Sequence, residues 1–283
     1  MPLSVQTISA REVLQAETAM QSDPWLFARA APPPHTVLWV FLFVCSVGIS
    51  SAHADSADAL FRYATNAFTA GDYPQAAVAF AQSAMLRPTS GTLQNLGNAE
   101  WQRGLVGPAI LAWEQALWID PFNQAARNNL RFARRAAQLE TPDLTWFEVV
   151  SSWLPANWWA WVAGISLWLA VGISTVPGLM RWRKMAWHQA IAAFGLAIFL
   201  LSIPAQLGVS SRARLGFILF KDVPLRLTPT AEAQVLTRLA AGEPARLERI
   251  KGEYLLMRTS HTTGWIRREE FQPISSKEHE TIN

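Results

Sequence analysis

The chain has little of what reactive sites are built from. Its 283 residues include one cysteine, five histidines and three tyrosines, and only 16% are charged. A single thiol excludes an intramolecular disulfide and a thiolate metal cage. No two histidines share metal-ligand spacing: His35 and His53 flank an N-terminal apolar run, and His188 sits at the edge of a longer one. His261 falls in a hairpin-like segment and His279 in a polar tail. The G-x-S-x-G, P-loop and dinucleotide glycine patterns are all missing. Lys and Arg number 24 against 21 Asp and Glu, too slight an excess to hold a polyanion, so nucleic acid is not an expected partner. The expectation is a protein that is not an enzyme and holds no cofactor or metal.

What the chain does have is long apolar runs and tryptophan. Residues 157–176 and 188–209 are each about 20 residues long with no charged side chain apart from the borderline His188, enough to cross a bilayer as helices. The loop between them, 177–187, carries Arg181, Arg183 and Lys184 and no acid, which places it on the cytoplasmic side and both flanks on the other. Trp153, Trp158, Trp159 and Trp161 gather before the first span, and Trp182 and Trp187 in the loop, the headgroup-level placement that indoles prefer. A tryptophan-lined haem site would need axial ligands, and only Met185 and His188 are near. With no Asp, Glu, Lys or Arg inside the spans, the hairpin is expected to anchor and not to transport. The lipid bilayer is thus an expected partner.

Residues 1–54 read as an extension leading into a signal peptide. The run 36–49 is about 14 residues, short for a span, and Ala52-His53-Ala54 supplies the small-x-small pattern before Asp55. Cleaved or retained as an anchor, it exports the chain from Asp55 onward. A start at Met20 would give the region before it an ordinary length. Cys45 lies inside the apolar run, and Leu42-Phe43-Val44 lacks the small residue that lipidation requires.

Between residues 55 and 139 the chain repeats itself. Gly71, Ala76, Phe80 and Pro88 recur as Gly104, Ala109, Trp113 and Pro121, a shift of about 33, close to the period of about 34 of a tetratricopeptide repeat. Glycine suits the turn between paired helices, alanine their close approach, the aromatic the layer between them and proline the stop. Leu93, Leu96, Gly97 and Ala116 complete the second copy, and Ala64 and Ala67 are the contacts of the first. Residues 123–138 read as a capping helix, with Asn128-Asn129-Leu130 echoing Gln94-Asn95-Leu96 and with Arg127, Arg131, Arg134 and Arg135 on a solvated face. Two repeats and a cap form a short α-solenoid. Its first-helix face projects Phe61, Thr65 and Phe68, then Gln94, Asn98 and Trp101, then Asn128, Phe132 and Arg135. Gln94, Asn98, Trp101 and Asn128 are the candidate partner-binding residues, amides beside an aromatic wall. The alternative is that Trp101 packs on the cap and the amides are merely solvated.

Residues 140–156 read as a linker, 212–274 as a small all-β domain and 275–283 as a polar tail. Strand patterns fall at 217–220, 223–227, 246–250, 254–258 and 264–267, separated by turn signals. The run Val223-Pro224-Leu225-Arg226-Leu227-Thr228-Pro229, then Leu239-Ala240-Ala241-Gly242, then Gly264-Trp265-Ile266 is similar to bacterial SH3-like barrels. On that resemblance Gly242 serves a tight turn, Trp265 closes the core, and Tyr254 is either a ligand platform or a core or rim residue.

The whole is a multidomain membrane protein: α-solenoid, two-helix transmembrane hairpin, SH3-like barrel. In that order, with Leu96-Gly97-Asn98, Trp113-Glu114-Gln115-Ala116-Leu117, Asp120-Pro121 and Asn129-Leu130, it resembles the BatE proteins of the Bacteroides aerotolerance operon. The long N-terminal extension departs from them. The resemblance implies a scaffold in a bacterial inner membrane, its N- and C-terminal domains in the periplasm, working with von Willebrand A-type Bat proteins and a MoxR-type ATPase in envelope stress or aerotolerance. The alternative is an envelope protein that binds peptidoglycan through its SH3-like domain.

Overall fold

The computed structural model describes residues 55–179 and 186–275. The signal reading, Met20, Cys45, the basic loop residues Arg181, Arg183 and Lys184, and His279 lie outside the described residues. Among those described, helices precede an antiparallel sheet, as expected of a multidomain helix-plus-sheet protein.

Five helices come first: α1 (55–69), α2 (Tyr73–Leu86), α3 (Ser90–Gln102), α4 (Val106–Ile119) and α5 (Gln124–Ala136). Their ends are set by side-chain chemistry. Asp72, Thr89 and Asn123 accept the amides of Gln75, Thr92 and Ala126 at 3.1, 3.1 and 3.0 Å, satisfying N–H groups that the first turn leaves unpaired. Gly71 and Gly104, at φ +81° and +78°, supply the left-handed residues of the α1–α2 and α3–α4 turns. Ala76 and Ala109 are fully buried, and Phe80 and Trp113 fill the layers beside them. Gly97 is required there, because a Cβ would stand 2.6 Å from the Trp113 indole.

The sheet has seven strands: β1 (Leu215–Ile218), β2 (Val223–Arg226), β3 (Val235–Leu239), β4 (Pro244–Lys251), β5 (Tyr254–Arg258), β6 (Thr263–Arg267) and β7 (Phe271–Pro273). Their order is β3-β2-β6-β5-β4-β1-β7, all neighbours antiparallel. β3 and β7 have no counterpart in the strand pattern read from sequence. The sheet's core is Ile218, Val223, Leu225, Leu239, Leu255, Met257, Ile266 and Phe271. Trp265 does not close it: alternation along β6 puts Ile266 fully inside and leaves Trp265 half-buried. Gly242 does occupy a positive-φ turn, at +84°.

Helices and sheet share a second core. Ile110, Leu111, Trp113, Leu130 and Ala133 cluster with Leu215, Phe217 and Ile274. At Gly107 the α4 backbone runs so close to Ile218 and Leu219 that a Cβ would overlap their carbonyl oxygens. Arg134 is not on the solvated face expected of it. It pairs with Glu114 and lies 6.0 Å over the Phe217 ring, its planar head suited to both contacts.

Residues 140–156 carry a short helix, α6 (Trp146–Ser151), ahead of α7 (Ala156–Leu179) and α8 (Ala186–Ala213). The most apolar 18-residue windows within residues 156–176 and 186–213 have mean hydropathies of 1.6 and 2.1, and both helices are long and apolar enough to cross a membrane. Only 11% and 17% of their most apolar windows are buried, whereas the core helix of a soluble domain would be mostly covered. Small residues meet where they touch: Gly195 lies against Ser166 and Ala170, both of them buried. Such residues let two helices approach where lipid offers no hydrophobic drive.

Candidate functional site

A groove of about 330 Å³ opens across α1, α3 and α5, lined by Phe68, Asn98, Trp101, Gln102, Trp113, Asn129 and Phe132. Helical spacing explains the convergence, because residues three and four apart share a face. Trp101 and Gln102 end α3, one turn beyond Asn98, while Asn129 and Phe132 are one turn apart on α5. Trp101 sits between two aromatics, its ring centroid 6.0 Å from Trp113 and 5.8 Å from Phe132, the latter edge-on. Edge-to-face geometry at this distance is attractive and holds the wall rigid.

A polar seam backs this wall. The Trp113 indole Nε1 donates to Asn98 Oδ1 at 3.1 Å and to the Gln94 carbonyl at 3.2 Å. Asn129 Nδ2 donates to the same Asn98 oxygen at 2.8 Å. Both acceptor positions of the Asn98 carbonyl are thereby taken, and this oxygen joins α3, α4 and α5. Burial pushes the Glu100 carboxyl up, opposed by its 2.8 Å pair with Arg103 at the groove's shoulder.

The expected residues therefore divide. Asn98 and Trp101 line the groove, both half-buried, and Gln94 contributes its backbone carbonyl to the seam behind it. Asn128 is exposed outside the groove and accepts Arg131 Nη2 at 2.5 Å. Phe68 and Phe132, projected onto this face, are there. Gln102 and Asn129 were not anticipated, although Asn129 stands next to a residue that was. Tyr254 is half-buried on β5 opposite Arg267, and their side chains interact. It does not line the concavity of about 410 Å³ along β3, which Arg238, Glu243 and His261 help to form.

A second polar centre has no counterpart in the sequence reading. Glu148 of α6 is fully buried. Its Oε1 accepts Arg246 Nη1 at 2.5 Å and Ser211 Oγ at 2.6 Å, and its Oε2 accepts the Thr145 amide and hydroxyl at 2.8 and 2.9 Å. Burial alone would raise this carboxyl. The bonds from Arg246, Ser211 and Thr145 overcome it and hold the carboxyl down at about 2. One carboxylate thus ties α6, the end of α8 and strand β4 together.

Among the described residues, no three His, Cys, Asp or Glu side chains gather as metal ligands would. A scan against protein-family models and searches of the curated proteins and the solved structures found no match.

Proposed function

We propose that the chain is a membrane-anchored protein-interaction scaffold whose working surface is the groove at Trp101 and Phe132. On this reading the helix pairs are tetratricopeptide repeats, the sheet is a bacterial SH3-like barrel, and the hairpin holds both on the periplasmic face of an inner membrane. The partner fitting the resemblance to BatE proteins is a von Willebrand A-type membrane protein of the same system.

The groove itself is the observation that carries the reading. It sets aromatic rings on helices that a buried seam holds in place, and it leaves amide groups at its rim. A rigid aromatic wall loses little side-chain entropy on binding, and amides can pair with the backbone of an extended peptide. Membrane anchoring fits the exposed apolar lengths of α7 and α8.

Photo-crosslinking tests this directly. Phe132, which is 62% exposed, is replaced by benzoylphenylalanine in cells and the adducts are identified by mass spectrometry. Von Willebrand A-type membrane proteins are the expected adducts. An absence of protein adducts overturns the groove as the working surface. Sedimentation of the full chain with purified sacculi, in detergent, would move the function to peptidoglycan and the sheet.

A further inference from the structure

Helix α6 is built the wrong way round for a helix on a soluble surface. Its fully buried residues are Glu148 and Ser151, Phe147 and Val150 are half-buried, and its most exposed side chains are apolar: Trp146 is 67% exposed, Val149 42% and, one turn on, Trp153 62%. The Trp153 amide donates to the Val150 carbonyl at 3.1 Å, so the helical course continues to it. At about 100° per residue the three apolar residues fall within about 60° of one another, with Glu148 about 130° and Ser151 about 170° from their mean direction. A helix facing water would expose its glutamate and bury its tryptophans.

The position of α6 says what covers that face. It stands four residues before α7, and the Trp159 indole of α7 donates to the Ser151 carbonyl at 3.0 Å. It also packs on the far end of α8, where the Phe147 carbonyl fills the space beside Gly208 and Ser211 Oγ reaches Glu148. The start of one apolar helix and the end of the other therefore fix α6 at one level, the boundary of the bilayer if the pair spans it. Tryptophan prefers that boundary, and the exposed face has no charge to be desolvated there.

We propose that α6 is an interfacial helix whose Trp146–Val149–Trp153 face lies in the headgroup and outer acyl region of the bilayer crossed by α7 and α8. The inference rests on the membrane-anchored reading above. Its consequence is orientation, because α6 is joined through Glu148 to Arg246 of β4, so that seating α6 in lipid also seats the sheet at a fixed attitude to the surface.

Site-directed spin labelling of the full chain separates this inference from the reading beneath it. On a Cys45→Ser background, nitroxides are placed singly through Val149→Cys, Leu201→Cys and Glu232→Cys, and the protein is reconstituted into phosphatidylethanolamine–phosphatidylglycerol vesicles. Leu201, on α8, is 74% exposed and reports the span, while Glu232 is exposed in the turn between β2 and β3 and reports water. The label at Val149 is expected to collide with oxygen several-fold more often than with a water-soluble nickel chelate, at a shallower depth than the label at Leu201. A Val149 label as accessible to nickel as the Glu232 label, with Leu201 in lipid, overturns the interfacial helix and leaves the hairpin standing. A Val149 label shielded from both quenchers is covered by protein and overturns it equally. Nickel access at Leu201 as well removes the membrane reading itself.

Discussion

Arg246 of β4 grips Glu148 of α6 with both prongs of its guanidinium, Nη1 to Oε1 at 2.5 Å and Nη2 to Oε2 at 3.3 Å. The two residues are 98 apart in sequence, and the carboxylate has no exposure to solvent. Removing one partner of such a pair strands a buried charge. Arg246→Ala should therefore lower the stability of the detergent-solubilised chain by about 3–5 kcal/mol in a denaturant titration. The exposed Arg258–Glu248 pair provides the contrast, because Arg258→Ala should cost less than about 1 kcal/mol. Equal losses from the two would mean that Glu148 is not desolvated as described.

The same carboxylate sets a pH dependence whose sign is fixed by its shift. Glu148 is held near 2 in the folded chain against an ordinary value of 4.5. A lowered folded value means that the unfolded chain binds the proton first, so the contribution is complete above about 4.5 and is lost as pH falls toward 2. Its size is on the order of 3 kcal/mol. The stability gap between the wild-type chain and Glu148→Gln should be constant from neutral pH to about 5 and shrink below that. A gap that stays flat through the acid range would show that Arg246 and Ser211 do not hold the charge.

Where helices and sheet meet, the close approach at Gly107 should be intolerant of even one methyl group. Gly107→Ala sets a Cβ against the Ile218 and Leu219 carbonyls, backbone atoms that cannot rotate away. A loss of about 1–3 kcal/mol is expected from the forced shift. Gly91→Ala in α3 has nothing within 4 Å and should be neutral or stabilising. Comparing the two by thermal unfolding distinguishes a packed junction from a loose tether, which would treat both substitutions alike.

Local chemistry was readable in the sequence, and long-range pairing was not. Gly71, Gly104, Ala76, Ala109, Phe80 and Trp113 repeat at a fixed interval, and each does in the structure what its size or backbone freedom suits it for. β3 escaped notice because it is an edge strand with four of its five residues exposed, so no alternation marks it. β7 is three residues long and ends in Pro273, tolerable only because it too is an edge. Trp265 and Ile266 are adjacent and both apolar, and only pairing with β5 decides which one faces inward. Half of the groove was visible as Asn98, Trp101, Phe68 and Phe132. Gln102 and Asn129 depend on how α3 crosses α5. Glu148 resembled any acid in a linker until Arg246 arrived from the sheet.

The groove's own test requires residues that line it without belonging to the polar seam behind it. Asn98→Ala removes the acceptor shared by Trp113 Nε1 and Asn129 Nδ2, so it should cost about 1–3 kcal/mol of stability before any partner is considered. A loss of partner binding in that variant would report a disturbed repeat as readily as a lost contact. Phe132 is 62% exposed and Gln102 is exposed, so Phe132→Ala with Gln102→Ala should cost little beyond the edge-on Trp101–Phe132 pair, about 0.5–1.5 kcal/mol. On the proposed groove reading, this double variant should lose, in a pull-down from solubilised membranes, most of whatever protein partner the wild-type chain recovers. Full recovery despite that modest loss of stability would mean that the partner sits elsewhere, and that Trp101 and Phe132 serve only to brace α3 against α5.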